Sequence, residues 1–167
     1  VEGGEAYLDD EEYCALVRRL ASFAGGVDVE ISCDGSSALI DEVHEAGAIV
    51  VASFHDFEGT PGDEQLAEVL AAMNYAGADV LKFACMANSA TDAARVLAAQ
   101  AWAREAYDRP VIGISMGEHG APTRLVGSAL GSAATFATLP GWEGSAPGQF
   151  TVEQVRTVLD ITEGAEA

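Results

Sequence analysis

Ala78-Asp79-Val80-Leu81-Lys82-Phe83-Ala84-Cys85-Met86 is the stretch on which both the fold and the chemistry turn. It is an apolar run broken by one cation. Of the 8 Lys+Arg residues in the chain, Lys82 is the only lysine. A short apolar run following Gly77 reads as a buried strand. Burying an ammonium is costly, and desolvation lowers an amine's pKa. That is one route by which a lysine becomes a nucleophile for Schiff-base chemistry. The alternative is a lysine at a sheet edge whose head snorkels to water.

On either side of this strand, short apolar runs alternate with amphipathic ones. Tyr13, Leu16, Val17, Leu20 and Phe23 keep helical spacing, with Asp9 and Glu12 as a capping-box-like start. Val27 to Ser32 reads as a strand. Leu39, Ile40 and Val43 mark a second helix, and the β-branched run Ile49 to Phe54 a second strand. His55 to Gly62 reads as a loop. Leu66, Val69, Leu70 and Met73 form a third helix face. Past the lysine strand, Thr91 opens a helix to about Tyr107, and Val111 to Met116 is a strand. A short helix is expected around Arg124 to Leu130, a fifth strand at Ala133 to Leu139, and a last helix from Thr151. The Gly-, Ser- and Pro-rich segment Pro140 to Phe150 reads as a mobile loop.

Five strands alternating with helices predict a parallel α/β protein. Two architectures satisfy the pattern. One is a five-stranded doubly wound sheet of flavodoxin type. The other is a (β/α)8 barrel, which takes about 250 residues, so that 167 residues would form only part of it. No GxGxxG or Walker motif supports a nucleotide site.

Composition narrows the function classes. Hydrophobic residues make up 49% and charged residues 21%, which suits one globular domain. The net charge of -19 repels polyanions, so nucleic acid and anionic membranes are not expected partners. Acid excess with a single lysine suggests solubility in high salt, with an ordinary acidic cytosolic protein as the alternative. Cys14, Cys33 and Cys85 have no CxxC spacing, which predicts reduced thiols and a cytoplasmic location. Neither a signal peptide nor an apolar run long enough to span a bilayer is visible. The chain opens on Val1 rather than Met, which suggests a piece of something longer.

Several residues stand where α/β proteins bind ligands, at the carboxyl ends of strands. His55 in His55-Asp56-Phe57 is a candidate proton shuttle, or else a histidine with a structural bond. Arg124 at a loop–helix junction could grip a carboxylate, or else lie on a surface helix. Ser145-Ala146-Pro147-Gly148-Gln149 could close over a ligand, or else be a solvated turn.

These segments occur together and in order. Ser53-Phe54-His55-Asp56-Phe57 with Thr60-Pro61 is followed by the lysine strand, then Ser115-Met116-Gly117, Thr123-Arg124-Leu125, Gly131-Ser132-Ala133-Ala134-Thr135-Phe136 and Ser145-Ala146-Pro147-Gly148-Gln149. The set resembles type I 3-dehydroquinate dehydratase, the Schiff-base hydro-lyase of the shikimate pathway. The resemblance runs from Glu2-Gly3-Gly4-Glu5 to the last helix.

The resemblance implies a (β/α)8 TIM barrel, with residues 1–167 as one partial domain made of about its last five βα units. The family's first three strands have no counterpart here. It also implies roles. Lys82 would form the imine with the ketone of 3-dehydroquinate, and His55 would shuttle protons. Glu2 would be the acidic partner of that histidine. Arg124 would pair with the substrate carboxylate, Ser145 and Gln149 would bind substrate oxygens, and Met116 would line the pocket. Thr123 stands where the family usually has serine. No metal or organic cofactor is implied. The expected partner is the small-molecule substrate, and a homodimer is allowed. A Schiff-base aldolase-type barrel and a non-catalytic doubly wound binding module remain as alternatives.

Side-chain parity adds an expectation. If Lys82 points into a barrel, Val80 and Ala84 do too, while Leu81 and Phe83 face helices. His55 inward takes Ser53 and Val51 with it and leaves Phe54 and Ala52 outward. Glu30 would also point inward, as an acid behind the primary groups.

Overall fold

The computed structural model describes residues 8–142 and 144–163. Helix α1 (Asp10–Ala21) starts at a full capping box: the Asp9 carboxylate accepts from the Glu12 N–H, and the Glu12 carboxylate accepts from the Asp9 N–H. There follow β1 (Gly26–Glu30), α2 (Ser36–Glu45), β2 (Ile49–Asp56), α3 (Asp63–Tyr75), β3 (Val80–Met86), α4 (Ala90–Ala106) and β4 (Val111–Met116). Short helices α5 (Gly117–Gly120) and α6 (Thr123–Val126), a 3-10 turn (Ser128–Leu130) and α7 (Val152–Glu163) follow among the described residues.

The four strands form one parallel sheet in the order β1-β2-β3-β4. Sequential neighbours with a helix after each strand are the arrangement of a barrel wall. A doubly wound sheet of flavodoxin type would place β1 between β2 and β3.

Three local expectations are corrected. The strand β2 does not stop at Phe54. Its ladder continues with His55 opposite Ala84 and Asp56 opposite Cys85, so His55 sits on a strand rather than in a loop. The strand ends when the Asp56 carboxylate takes the N–H groups of Glu58 and Gly59, a side-chain turn that competes with the ladder.

The fifth strand over Ala133 to Leu139 does not form. A single parallel bridge joins Val111 to Ser132, and a second joins Thr138 to Thr151. The segment opens on Ser132, Ala133 and Ala134, small side chains that add little to a ladder. Thr135 instead donates its hydroxyl to the Arg124 carbonyl. The expected helix near Arg124 is likewise split into α6 and the 3-10 turn.

The sheet has two unlike faces. Val29, Val50, Ala52, Leu81, Phe83 and Cys85 share a buried core with Val17 of α1, Ile40 of α2, Leu70 of α3 and Val96 of α4. Each large side chain buried there contributes about 1.5–3 kcal/mol. Strand and helix come very close at Gly113. A Cβ there would lie 2.8 Å from both Gln100 Oε1 and Phe83 Cζ, so the glycine leaves room for the Gln100 side chain of α4 and the Phe83 ring of β3. The opposite face carries Ala84, Ile112, Ile114 and Met116 as a separate apolar cluster, beside the polar groups of β1 to β3.

Candidate active site

Paired residues of a parallel ladder share a face, so the register arranges the site in rows. Glu30, Ser53, Lys82 and Ile112 form one row across the four strands. One step toward the carboxyl ends lies His55-Ala84-Ile114, and one step back lies Asp28-Val51-Val80. The alternation expected from Lys82 and His55 therefore holds on β2 and β3.

Lys82 is 6% exposed, inside the sheet rather than at an edge. Its Nζ lies 3.0 Å from Asp28 Oδ2 and 5.5 Å from the centre of the Phe136 ring. Ser53 Oγ donates to the other oxygen, Asp28 Oδ1. The buried ammonium thus has a carboxylate beside it, and the carboxylate is itself held.

His55 is nearly as buried. Its Nδ1 is 2.6 Å from Glu30 Oε2, and its ring stacks on Phe57 at 6.1 Å. Glu30 Oε1 accepts from Ser32 Oγ at 2.9 Å. Behind these acids, Tyr13 Oη accepts from the Glu30 backbone N–H at 2.9 Å. Burial, with Asp28 and Glu30 adding to it, pushes the Tyr13 phenol up to about 12, which keeps it a neutral hydroxyl. Burial first, then the neighbouring Cys14 and Asp10, likewise pushes the Cys33 thiol up to about 12.

Two cavities open on this face. One of about 490 Å³ is lined by Tyr13, Asp28, Glu30, Ser53 and His55 among others. The other, of about 120 Å³, is lined by Lys82, Met116, Arg124, Phe136, Ser145 and Gln149, with Ala84, Ile114 and Ala146 as its apolar wall. The Asp28–Lys82 pair joins the two. Arg124, on α6, is 5% exposed and its Nη2 donates to the Pro147 carbonyl at 3.3 Å. This bond ties the 144–150 segment to the pocket. Within that segment the Ser145 N–H donates to Gln149 Oε1 at 3.1 Å, and Gln149 Nε2 donates to Ser145 Oγ at 3.0 Å.

Five of the residues singled out from sequence, Lys82, Met116, Arg124, Ser145 and Gln149, thus line one pocket, and His55 lines the adjoining cleft. Glu2 lies outside the described residues. The acid placed against His55 among the described residues is Glu30. Asp28 and Phe136 escaped the sequence reading as functional side chains. Asp28 had a signal: it precedes Glu30 by two in Gly26-Val27-Asp28-Val29-Glu30, so both acids face the same way in an otherwise apolar strand. Phe136 had none, because it depends on a segment that forms no strand. No cluster of His, Cys, Asp or Glu among the described residues could hold a metal ion.

A sequentially ordered parallel sheet with a buried lysine and a carboxylate-held histidine on its inner face defines an α/β protein of the barrel class with a lysine-centred pocket. The comparisons carry this further. The chain belongs to the type I 3-dehydroquinase family, whose model matches residues 1–166. It is 41% identical over 165 residues to the 3-dehydroquinate dehydratase of Klebsiella pneumoniae subsp. pneumoniae, covering 96% of this chain and 65% of that protein. The Listeria welshimeri enzyme is 40% identical over 164 residues, covering 96% and 64%. Among solved structures, the 3-dehydroquinate dehydratase of Geobacillus kaustophilus superposes with a TM-score of 0.90 at 35% identity, over 99% of this chain and 65% of that one. The type I enzyme of Clostridium difficile, solved with covalently modified comenic acid, gives 0.88 at 31% identity, over 98% and 66%. The chain spans about 65% of the length of the curated relatives it matches.

Proposed function

We propose that the protein is a 3-dehydroquinate dehydratase, a hydro-lyase acting through an imine on Lys82. The observation that carries the reading is the convergence of Met116, Arg124, Ser145 and Gln149 around that one lysine. Arg124 would hold the substrate carboxylate with a rigid, always-charged fork. Ser145 and Gln149 then bind substrate oxygens from the segment that Arg124 anchors.

The neutral Lys82 amine attacks the substrate ketone. His55 gives a proton to the carbinolamine hydroxyl, which leaves as water, and the nitrogen keeps its one remaining proton, giving a cationic imine. This cation draws electrons from the adjacent carbon, which gives up a proton to a base. The resulting enamine returns its electron pair, and the hydroxyl β to the former ketone carbon leaves with a proton as water. Water then hydrolyses the imine, releasing 3-dehydroshikimate and the free lysine. His55, oriented by Glu30, is the group that moves these protons. Glu2 would add a second acid beside it.

The same reading includes a cytoplasmic location, a salt-adapted surface and a homodimer. Three free cysteines suit a reducing compartment, a net charge of -19 suits high salt, and no helix among the described residues is long and apolar enough to cross a membrane. An eight-stranded barrel would also cover the outer edge of β1. Conversion of 3-dehydroquinate, followed by the ultraviolet absorbance of the conjugated product, tests the activity. Lys82→Ala should abolish it, and a variant as active as the parent would end the imine reading.

A further inference from the structure

The two acids of β1 have separate duties. Glu30 is bonded to His55 and Ser32, whereas Asp28 is bonded to Lys82 and Ser53. We infer that Asp28 is the counter-ion of the Lys82 nitrogen through the reaction, stabilising the cationic imine that drives elimination. This inference rests on the imine reading above.

The geometry supports a fixed counter-ion. Asp28 Oδ2 lies 3.0 Å from Nζ, within reach of the N–H that the imine would keep. The Ser53 hydroxyl occupies the other oxygen, and Ser53 is fully buried on the strand between the two ionic partners. Three adjacent strands of one sheet set the separation, so the carboxylate need not reorganise as charge moves. Nζ also lies over the Phe136 ring, 5.5 Å from its centre, and the face of that ring favours a cation.

The charge bookkeeping explains why such a group accelerates the reaction. The ketone and neutral amine carry no charge, the imine carries one positive charge, and the enamine carries none. A carboxylate fixed beside the nitrogen lowers the energy of the cationic state selectively. Hydrogen bonding without charge would do this less well.

The test uses the full chain and steady-state turnover of 3-dehydroquinate. Asp28→Asn preserves shape and drops the charge. We expect kcat to fall about 10²-fold, the loss typical of removing one preorganised charge-stabilising group. KM should change less than about threefold, since Asp28 is not aimed at the substrate's own oxygens. Borohydride-trapped adduct on Lys82 should fall in step with kcat. Ser53→Ala, which keeps the charge and loosens its hold, should lose about tenfold, in the manner of a supporting group behind a reacting one. Asp28→Ala should regain activity with added formate and not with chloride at the same ionic strength. Melting curves of all variants identify any that fail to fold, in which case Ser53→Ala and formate rescue decide. A dead Lys82→Ala beside an Asp28→Asn enzyme within twofold of the parent would overturn the counter-ion inference alone. An active Lys82→Ala enzyme would overturn the imine reading beneath it.

Discussion

On β3, Cys85 and Lys82 are both buried, yet they face different surroundings. Cys85 points to the helix side, into a core with Leu81, Phe83 and residues of the surrounding helices. Burial there, with Asp56 nearby, pushes its thiol up to about 12 and leaves it inert. Lys82 points the other way, to a face where Asp28 pairs with its nitrogen, Ser53 holds Asp28 and the Phe136 ring lies nearby. Burial alone silences a reactive side chain. Burial with matched partners and an adjoining cavity makes a site. One residue of phase on a strand decides which of these occurs.

Changes on each face should therefore fail in different ways. On the inner face, His55→Ala should cut turnover about 10²–10⁴-fold while the melting temperature moves little and substrate still reaches Lys82. A near-parental rate would return His55 to a structural role. On the helix face, Phe83→Ala removes a fully buried ring and should cost about 3–5 kcal/mol of stability. Denaturant unfolding would measure it. The activity of the molecules that remain folded should stay within a few-fold, and a selective loss of kcat without loss of stability would blur the division between the faces.

That division was legible from sequence because it depends only on period-two alternation. Leu81 and Phe83 against Lys82 and Ala84 could be sorted without knowing any partner. So could Ser53 and His55 against Phe54, and Glu30 was placed inward on the same ground. The pairing of each base with its acid was not legible. It needs the register that sets Glu30 opposite Ser53 and brings Asp28 within reach of Lys82, and register is a property of neighbouring strands. The failed fifth strand shows the same limit. Ala133 to Leu139 has strand-forming residues, but whether they pair depends on what lies beside them. There Thr135 bonds to Arg124 and Thr138 pairs with Thr151. The capping box of α1 was readable because all its partners lie within one turn.

Smaller effects separate the pocket end of the sheet from the opposite end. At the start of β3, Asp79 accepts from the Val50 N–H at 2.8 Å and pairs with His44 at 3.0 Å and Arg109 at 3.7 Å. Burial pushes its carboxyl up, but the Val50 bond, His44 and Arg109 together outweigh it and hold it below its ordinary value of 3.8. A carboxylate more acidic when folded contributes stability above the unfolded value and loses it as pH falls through the folded value. Asp79→Ala should therefore cost about 1 kcal/mol near neutral pH, allowing for solvent screening. The gap from the parent should close as pH falls below the folded-state value, which lies under 3.8, and kcat should be unchanged. A gap that persists in acid would mean the loss is packing rather than charge.

The smallest effect concerns the whole surface. With a net charge of -19, added salt should raise the melting temperature from its low-salt value by screening self-repulsion. A flat or falling response would count against salt adaptation and leave both faces of the sheet as described.

Covalent trapping tests the central claim most directly. The full chain is incubated with 3-dehydroquinate or its product, reduced with borohydride, and digested for peptide mass mapping. Lys82 is the only lysine among residues 1–167, so no other lysine in that span can obscure the outcome. An adduct on the peptide containing Lys82, absent in Lys82→Ala, is the predicted result. Full turnover with no adduct on that peptide would contradict it.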